Sequence, residues 1–224
     1  MEQHLAEGFA QRFRIAVEHV VREDYELALL RGFCESRQGN VLVLKGGTAL
    51  RLAYGSPRFS DDLDFSAISS LSEEEFTAVA QSVLKGWPQV ALVEALAKRF
   101  TLFALYRINE AYLPQPFSIK IEVSTRPEAW ERGRDFDLRL LTSDFTNITV
   151  LAQVATLERS WVDKQAAWTD RQQLRDLYDL WFIAQKLRRA FTPDLTGFDR
   201  KILKRELRKY LPPSHWKVID SWSG

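Results

Sequence analysis

The sequence predicts an α/β fold of the α+β kind, in which a small mixed β-sheet is flanked by helices and followed by a helical C-terminal part. Short apolar runs of strand length alternate with stretches of helical periodicity over much of the chain. One such run, residues 41–44, stops at Gly46-Gly47 and precedes a helix-forming segment, as a strand that turns into a helix does. We therefore divide the chain into a core with N-terminal helices, residues 1–152, and a helical region, residues 153–224.

The composition is that of an ordinary globular protein. The 224 residues are 46% hydrophobic and 27% charged, so the chain can bury a sizeable core. No apolar run approaches the length that spans a bilayer, and residues 1–13 lack a signal-peptide pattern, so we expect a cytoplasmic protein without membrane contact. The single cysteine, Cys34, excludes an internal disulfide, and the three histidines show no zinc-ligand spacing.

The chain begins with one or two helices that lead into the first strand. Apolar residues follow helical spacing over residues 4–37, and residues 41–44 form the strand. Two adjacent glycines, Gly46 and Gly47, let backbone N–H groups approach an anion closely. Thr48 then opens a helix whose positive N-terminus faces the same point. This junction predicts a cradle of the size of a phosphate.

An acidic strand follows that helix. In an extended segment Asp62 and Asp64 point to one face, whereas Leu63 and Phe65 point to the other. Carboxylate oxygens are the ligands that magnesium prefers. Two carboxylates on one face, with apolar residues behind them, therefore predict a site for a hard divalent cation such as Mg²⁺.

Signals for helix and strand continue beyond the acidic strand. Ser72, followed three residues later by Glu75, is a capping-box signal that opens a helix to about residue 85. Residues 126–145 are charged and show no sustained period, so we interpret them as an irregular surface excursion. Residues 147–152 form the last candidate strand.

Two strand-like runs between these segments form a hairpin or a longer β-connection, at residues 102–112 and 118–124. In the second run the apolar residues alternate with Lys120 and Glu122, so Glu122 projects away from the core. An exposed edge strand with a row of charges would show the same alternation. The position of Glu122 relative to Asp62 and Asp64 decides between these interpretations.

Two helices are predicted in the C-terminal part, over residues 154–168 and from residue 174 to about 189. The first carries Lys164. In the second, Arg175, Asp176 and Asp179 are three or four residues apart and share a side. Taken alone, this set is typical of an ordinary surface salt-bridge cluster.

Two stretches of the chain resemble a known family. KGGTALRL…RFSDDLDF, within residues 45–65, and RDLYDL, at residues 175–180, resemble the AbiEii/AbiGii toxin family, which includes the MenT toxins. That family is part of the DNA polymerase β-like nucleotidyltransferase superfamily. The resemblance implies a nucleotidyltransferase-like fold and transfer of a nucleotide from an NTP, with Mg²⁺ or alternatively Mn²⁺ as cofactor. It also implies an RNA acceptor, above all the tRNA 3′ end, so that translation is blocked, and a cognate antitoxin in a toxin–antitoxin or abortive-infection system.

The same resemblance assigns roles to single residues. Superfamily members place a third carboxylate on a strand beside the D-x-D pair, so the metal ligands are expected to be Asp62, Asp64 and Glu122. Lys164 and Asp176 match the family's lysine and helical signature, and they complete the expected catalytic set. The residues expected to bind the nucleotide are Lys45, Gly46, Gly47, Thr48, Arg58, Ser60, Arg175 and Asp179.

Charge is unevenly distributed along the chain. Residues 171–217 contain twelve Lys or Arg against five Asp or Glu, a balance of +7, whereas the rest of the chain carries −6. A basic C-terminal part is either a solvated helical surface or a contact surface for phosphates.

Three functions are compatible with these observations. The first is a toxin that adds nucleotides to tRNA. The second is a transferase that modifies a small molecule such as an antibiotic, or a protein hydroxyl. The third is a catalytically idle binding protein that keeps the fold, and the intact set of carboxylates argues against it.

Overall fold

The structure, a computed structural model, describes residues 1–222, which contain eight α-helices and seven β-strands. The helices are α1 (Gln3–Phe13), α2 (Val17–Cys34), α3 (Gly46–Tyr54), α4 (Glu73–Ser82), α5 (Leu157–Arg171), α6 (Leu174–Leu187), α7 (Arg200–Arg208) and α8 (Trp216–Ser221). The strands are β1 (Leu42–Lys45), β2 (Asp62–Ala67), β3 (Val90–Lys98), β4 (Thr101–Ile108), β5 (Phe117–Ser124), β6 (Phe136–Ser143) and β7 (Thr146–Ala155).

The strands form one mixed sheet in the order β3-β4-β5-β2-β1-β7-β6. In its centre β1 pairs antiparallel with β2 and parallel with β7, while β2 pairs parallel with β5. The outer pairs, β3 with β4, β4 with β5 and β6 with β7, are antiparallel. A mixed sheet with flanking helices confirms the predicted fold class.

The larger hydrophobic core lies between the sheet and helices α1 to α4. Helix α2 is buried along most of its length because it is covered by α1 on one side and by strands on another, and Tyr25 and Phe33 are among its fully buried side chains. Helix α4 begins with the predicted capping box, in which Ser72 Oγ accepts from the Glu75 N–H and the Glu75 carboxylate accepts from the Ser72 N–H. This core supports β1, β2 and β5 from one side.

A second hydrophobic core joins the C-terminal helices to the rest of the chain. Tyr178 and Phe182 of α6 pack with Leu203 and Leu207 of α7, and Leu50 of α3 belongs to the same cluster. Helix α3 therefore contacts both cores. Since α3 begins at the glycine turn, the C-terminal helices are tied to that turn through buried apolar contacts.

The predicted irregular excursion over residues 126–145 is wrong for its second half, which forms β6. This strand lies at the edge of the sheet and pairs only with β7, and its Leu138 and Leu140 are about half exposed. Phe136, Leu138 and Leu140 alternate with polar residues, so the period of a strand is present in the sequence, but the charged residues around it obscured this signal. The other edge strand, β3, is also largely exposed and was not predicted.

Other differences concern the ends of elements. Strand β7 continues to Ala155, and α5 begins at Leu157 because the Thr156 hydroxyl accepts the N–H of Arg159 as an N-cap. The division into residues 1–152 and 153–224 stays a prediction. Among residues 1–222, none of the helices is long and apolar enough to cross a membrane.

Candidate functional site

Strands β2 and β5 bring three carboxylates to one face of the sheet. Asp64 lies opposite Glu122, and Asp62 lies opposite Lys120. Residues directly opposite each other on paired strands project from the same face. The residue between the two aspartates, Leu63, is fully buried on the other side. The structure thus places the three predicted metal ligands together on the two central, adjacent strands.

The glycine turn lies close to these carboxylates. Gly46 has φ of 76°, a left-handed conformation that favours glycine, and a Cβ added there would lie 2.5 Å from Asp64 Oδ2. A Cβ on Gly47 would collide with the Arg58 guanidinium and lie 2.7 Å from Ser60 Oγ. Both glycines are therefore required by close approach, and the N-terminus of α3 borders the acidic face.

Lys45 and Thr48 lie on either side of this turn. Lys45 pairs opposite Asp64 across β1 and β2 and precedes the first residue of α3. The Thr48 hydroxyl donates to the main-chain carbonyl of Asp62 at 2.6 Å, and Thr48 is almost fully buried. This hydrogen bond links α3 to the beginning of β2, so the proton of the Thr48 hydroxyl is already donated within the protein.

The three carboxylates are crowded, and this is visible in the pKa of Asp64. Burial raises the pKa of Asp64, and the charges of Asp62 and Glu122 raise it further. A bound divalent cation would relieve this crowding, and the donors are the oxygens that Mg²⁺ prefers. Asp62 and Asp64 therefore fit such a cation by charge and donor type. In the described part of the chain, however, no three acidic, His or Cys side chains already converge as a metal site.

A cavity of about 620 Å³ opens beside the acidic face. This volume is in the range of small-molecule and cofactor sites. Its basic lining residues come from the glycine turn, the end of β5 and α5: Lys45, Arg126, Arg159, Lys164 and Arg171. Its acidic lining residues are Asp64, Glu122, Glu128, Asp163 and Asp170. The cavity thus combines the carboxylates of the sheet with cations on the facing helix, as a site for a metal-bound polyphosphate requires.

A buried network of charges holds the cations of that helix. Lys164 Nζ lies 2.9 Å from Asp176 Oδ1 and 2.6 Å from Asp179 Oδ2. Arg58 donates to both carboxylate oxygens of Asp179, at 2.7 and 2.8 Å, and Arg171 donates to those of Asp176, at 2.8 and 2.9 Å. Both aspartates are 0% exposed. They therefore position Lys164 and Arg171 at the cavity wall.

The same contacts keep both aspartates ionised at neutral pH. Burial alone would raise the pKa of Asp176, but hydrogen bonds and charges from Arg171 and Lys164 outweigh it and lower the pKa to about 2. The pKa of Asp179 is likewise lowered by Arg58 and Lys164 against the effect of burial. The network thus has three cations for two anions, and two of the cations, Lys164 and Arg171, line the cavity.

The predicted residues therefore fall into three groups. Most of the predicted set surrounds the acidic face or the glycine turn: Asp62, Asp64, Glu122, Lys45, Gly46, Gly47, Ser60 and Lys164. Thr48, Arg58, Asp176 and Asp179 are buried behind these residues, which favours a supporting role over direct contact with a nucleotide. Arg175 is half-buried and does not line the cavity.

Two residues beside this site were not predicted. Arg171, the last residue of α5, contacts Asp176 in the first turn of α6 because the chain bends between the two helices. No sequence pattern marked Arg171. Lys120 was noted only as a polar residue of a strand, although its alternation with Glu122 placed both on one face. In the structure Lys120 Nζ lies 3.3 Å from Asp62 Oδ2 and 3.3 Å from Glu122 Oε2.

Comparison with known proteins agrees with this fold. No curated protein sequence matches the chain. The fold is similar to that of MenT4, a nucleotidyltransferase toxin from Mycobacterium tuberculosis H37Rv, with TM-score 0.59 and 23% identity over 92% of this chain and 68% of that one. It is also similar to JHP933 from Helicobacter pylori, with TM-score 0.55 and 22% identity over 87% of this chain and 74% of that one. Residues 28–216 match the family described as "Nucleotidyl transferase AbiEii toxin, Type IV TA system", and the chain belongs to that family of nucleotidyltransferase toxins.

Proposed function

We propose that this toxin transfers a nucleotide from an NTP to an RNA acceptor, the 3′ end of tRNA, in a Mg²⁺-dependent reaction that blocks translation until a cognate antitoxin neutralises it. The observation that carries the proposal is the acidic face of β2 and β5, which meets a cavity lined on the opposite side by Lys164 and Arg171. Carboxylates for a metal and cations for phosphates are the two halves of a nucleotidyl-transfer site.

In this proposal Asp62 and Asp64 hold Mg²⁺ with Glu122, and Mn²⁺ can take its place. When bound, the metal supplies Lewis-acid stabilisation of the charge that develops on the phosphates. Lys164 and Arg171 neutralise the remaining phosphate charge from the cavity wall, since their positions are fixed by buried aspartates.

The glycine turn binds the outer phosphates in the same proposal. The first N–H groups of α3 come from Gly46 and Gly47 and border the acidic face, so they can donate to an anion held there. Lys45 and Ser60 border the same point and add a charge and a hydroxyl.

The acceptor is proposed from the charge of the C-terminal helices. Helix α7 buries Leu203 and Leu207 and carries its basic residues elsewhere on its surface. Some of these are paired with acids, as Lys204 and Arg208 are with Asp220. Even when Asp220 is counted, residues 171–220 contain twelve Lys or Arg against six Asp or Glu, and this balance of +6 is an excess of positive charge suited to an RNA backbone.

The metal half of the proposal is tested on Glu122. We would incubate the protein with Mg²⁺, each labelled NTP and total RNA, and compare wild type with Glu122→Gln, which keeps the shape and loses the charge. Transfer should fall sharply in this variant. The control Ile121→Val, on the same strand but in the core, should transfer normally and lose about 0.5–1.5 kcal/mol of stability. Equal and mild effects in both variants would contradict a role for Glu122 in the site.

The acceptor half is tested by charge reversal on α7. The double variant Lys201→Glu and Arg205→Glu changes two exposed residues, and Arg31→Glu with Arg37→Glu is the matched control on α2 and just beyond it. RNA labelling should weaken as salt rises, with a slope of about −0.7 per contacted phosphate of a single strand, and the α7 variant should lower that slope. If tRNA stays unlabelled with every NTP while a small molecule or a protein hydroxyl is modified, the RNA acceptor is wrong.

A further inference from the structure

Lys120 lies between two of the carboxylates that the proposed function assigns to the metal. It faces Asp62 across the parallel pair of β2 and β5, and it is two residues from Glu122 on its own strand. Its Nζ is 3.3 Å from one oxygen of each of these two acids. The ammonium thus bridges the two strands through one oxygen of each acid.

The third carboxylate has a different environment. Asp64 makes no ion pair with Lys120 and instead borders Gly46. The positive charge of Lys120 therefore compensates Asp62 and Glu122, whereas the cations beside Asp64 are Lys45, opposite it across β1 and β2, and Lys164, which lines the same cavity.

Release of this lysine requires little rearrangement. The side chains of Lys120, Asp62 and Glu122 are 34%, 30% and 35% exposed, so the ammonium can swing into water without being buried elsewhere. Ion pairs that are this exposed are weak, and a divalent cation offers the two carboxylates twice the charge. Lys120 can therefore stabilise Asp62 and Glu122 when no metal is bound, and a metal ion can still displace it.

We propose that Lys120 is an internal counter-ion of the metal-free site, which a divalent cation displaces from Asp62 and Glu122 when the site assembles. This inference rests on the proposed function, because it assumes that these carboxylates bind the metal. Lys120 is a positioning residue here. Its ammonium offsets the repulsion between Asp62 and Glu122, and a divalent cation binds these two carboxylates only by displacing it.

The first test measures Mn²⁺ binding without nucleotide, by the electron paramagnetic resonance signal of the free ion. Lys120→Met removes the competing ammonium and should tighten Mn²⁺ binding about tenfold, which corresponds to about 1.4 kcal/mol. Lys120→Arg keeps a competing charge and should bind Mn²⁺ close to the wild-type level. The matched control is Lys98→Met, an exposed lysine of β3 that lies over the Phe103 ring, and it should leave binding unchanged.

A second readout separates displacement from a general change in charge. The rate at which Lys120 is acetylated by acetic anhydride, followed by mass spectrometry, should rise when Mn²⁺ is added to the wild-type protein. The rate at Lys98 should stay constant. A lysine that merely sits near the metal without leaving the carboxylates would show no increase.

Failure of this inference is distinguishable from failure of the proposed function. If Asp62→Asn abolishes Mn²⁺ binding but Lys120→Met binds Mn²⁺ no tighter than wild type, the metal site is supported and the role of Lys120 is overturned. A constant acetylation rate at Lys120 overturns it as well. If the wild-type protein binds no Mn²⁺ even with an NTP present, the metal-dependent function and the inference fail together.

Discussion

The buried pair of Arg58 and Asp179 gives the sharpest test of how the site is supported. Arg58 precedes the acidic strand and is 3% exposed, while Asp179 lies in α6 and is 0% exposed. Two hydrogen bonds, at 2.7 and 2.8 Å, join the guanidinium to both carboxylate oxygens. The change Arg58→Met keeps an apolar side chain of some length and leaves Asp179 with Lys164 as its ionic partner.

The expected loss follows from the burial of this pair. Removing one partner of a buried ion pair leaves an undercompensated charge and costs about 3–5 kcal/mol. For a chain of this length each kcal/mol lowers Tm by about 2–4 °C, so Arg58→Met should melt about 6–20 °C below wild type. Thermal unfolding followed by circular dichroism measures this shift. Arg134→Met is the control, because Arg134 pairs with acids at the surface, and it should melt like wild type.

A double variant tests whether the pair also serves the reaction. Arg58→Met with Asp179→Leu replaces the pair by apolar side chains, which is often nearly neutral for stability, so it should recover much of the lost Tm. Transfer should stay low, because Lys164 loses its 2.6 Å contact with Asp179. Two results would refute the reasoning: an Arg58→Met variant that melts like Arg134→Met, or a double variant that transfers nucleotide at the wild-type rate.

Three further predictions concern the glycine turn and the acids. Gly46→Ala should cost about 1–3 kcal/mol of stability and abolish transfer, because its Cβ would meet the Asp64 carboxylate. The control is Gly55→Ala, which is also at positive φ but in open space; it should be destabilised and still transfer nucleotide. Asp64→Asn should raise Tm at pH 7 with EDTA and abolish transfer. The raised pKa of the Asp64 carboxyl means that its charged form destabilises the fold, so an unchanged Tm would contradict the crowding of the three carboxylates. Asp176 has a lowered pKa, so its contribution to stability is present above about pH 4 and is lost as pH falls toward about 2. The Tm of Asp176→Asn should therefore change less with pH between these values than the Tm of wild type. A Tm that depends on pH as in wild type would contradict the role of Asp176 in the network.

Much of the local structure was predictable because it depends on neighbours along the chain. The capping box at Ser72 and the alternation that places Asp62 and Asp64 on one face use spacings of two or three residues, and both are found in the structure. Strand β6 carries a signal of the same kind, since Phe136, Leu138 and Leu140 are two residues apart, but the charged residues around it obscured this pattern. Its place at the edge of the sheet beside β7 and the exposure of Leu138 depend on the tertiary structure.

By itself, the sequence determined the mixed fold, the glycine turn, the acidic strand and the resemblance to a toxin family, since each is written in short-range patterns. Only the tertiary structure decided which charges meet. Arg58 and Asp179 are 121 residues apart, and the register of β2 against β5 places Lys120 beside Asp62. Spacing along one element fixes the face from which a side chain projects. Its partner across the fold depends on strand register and helix packing, which are set by burial of the whole core.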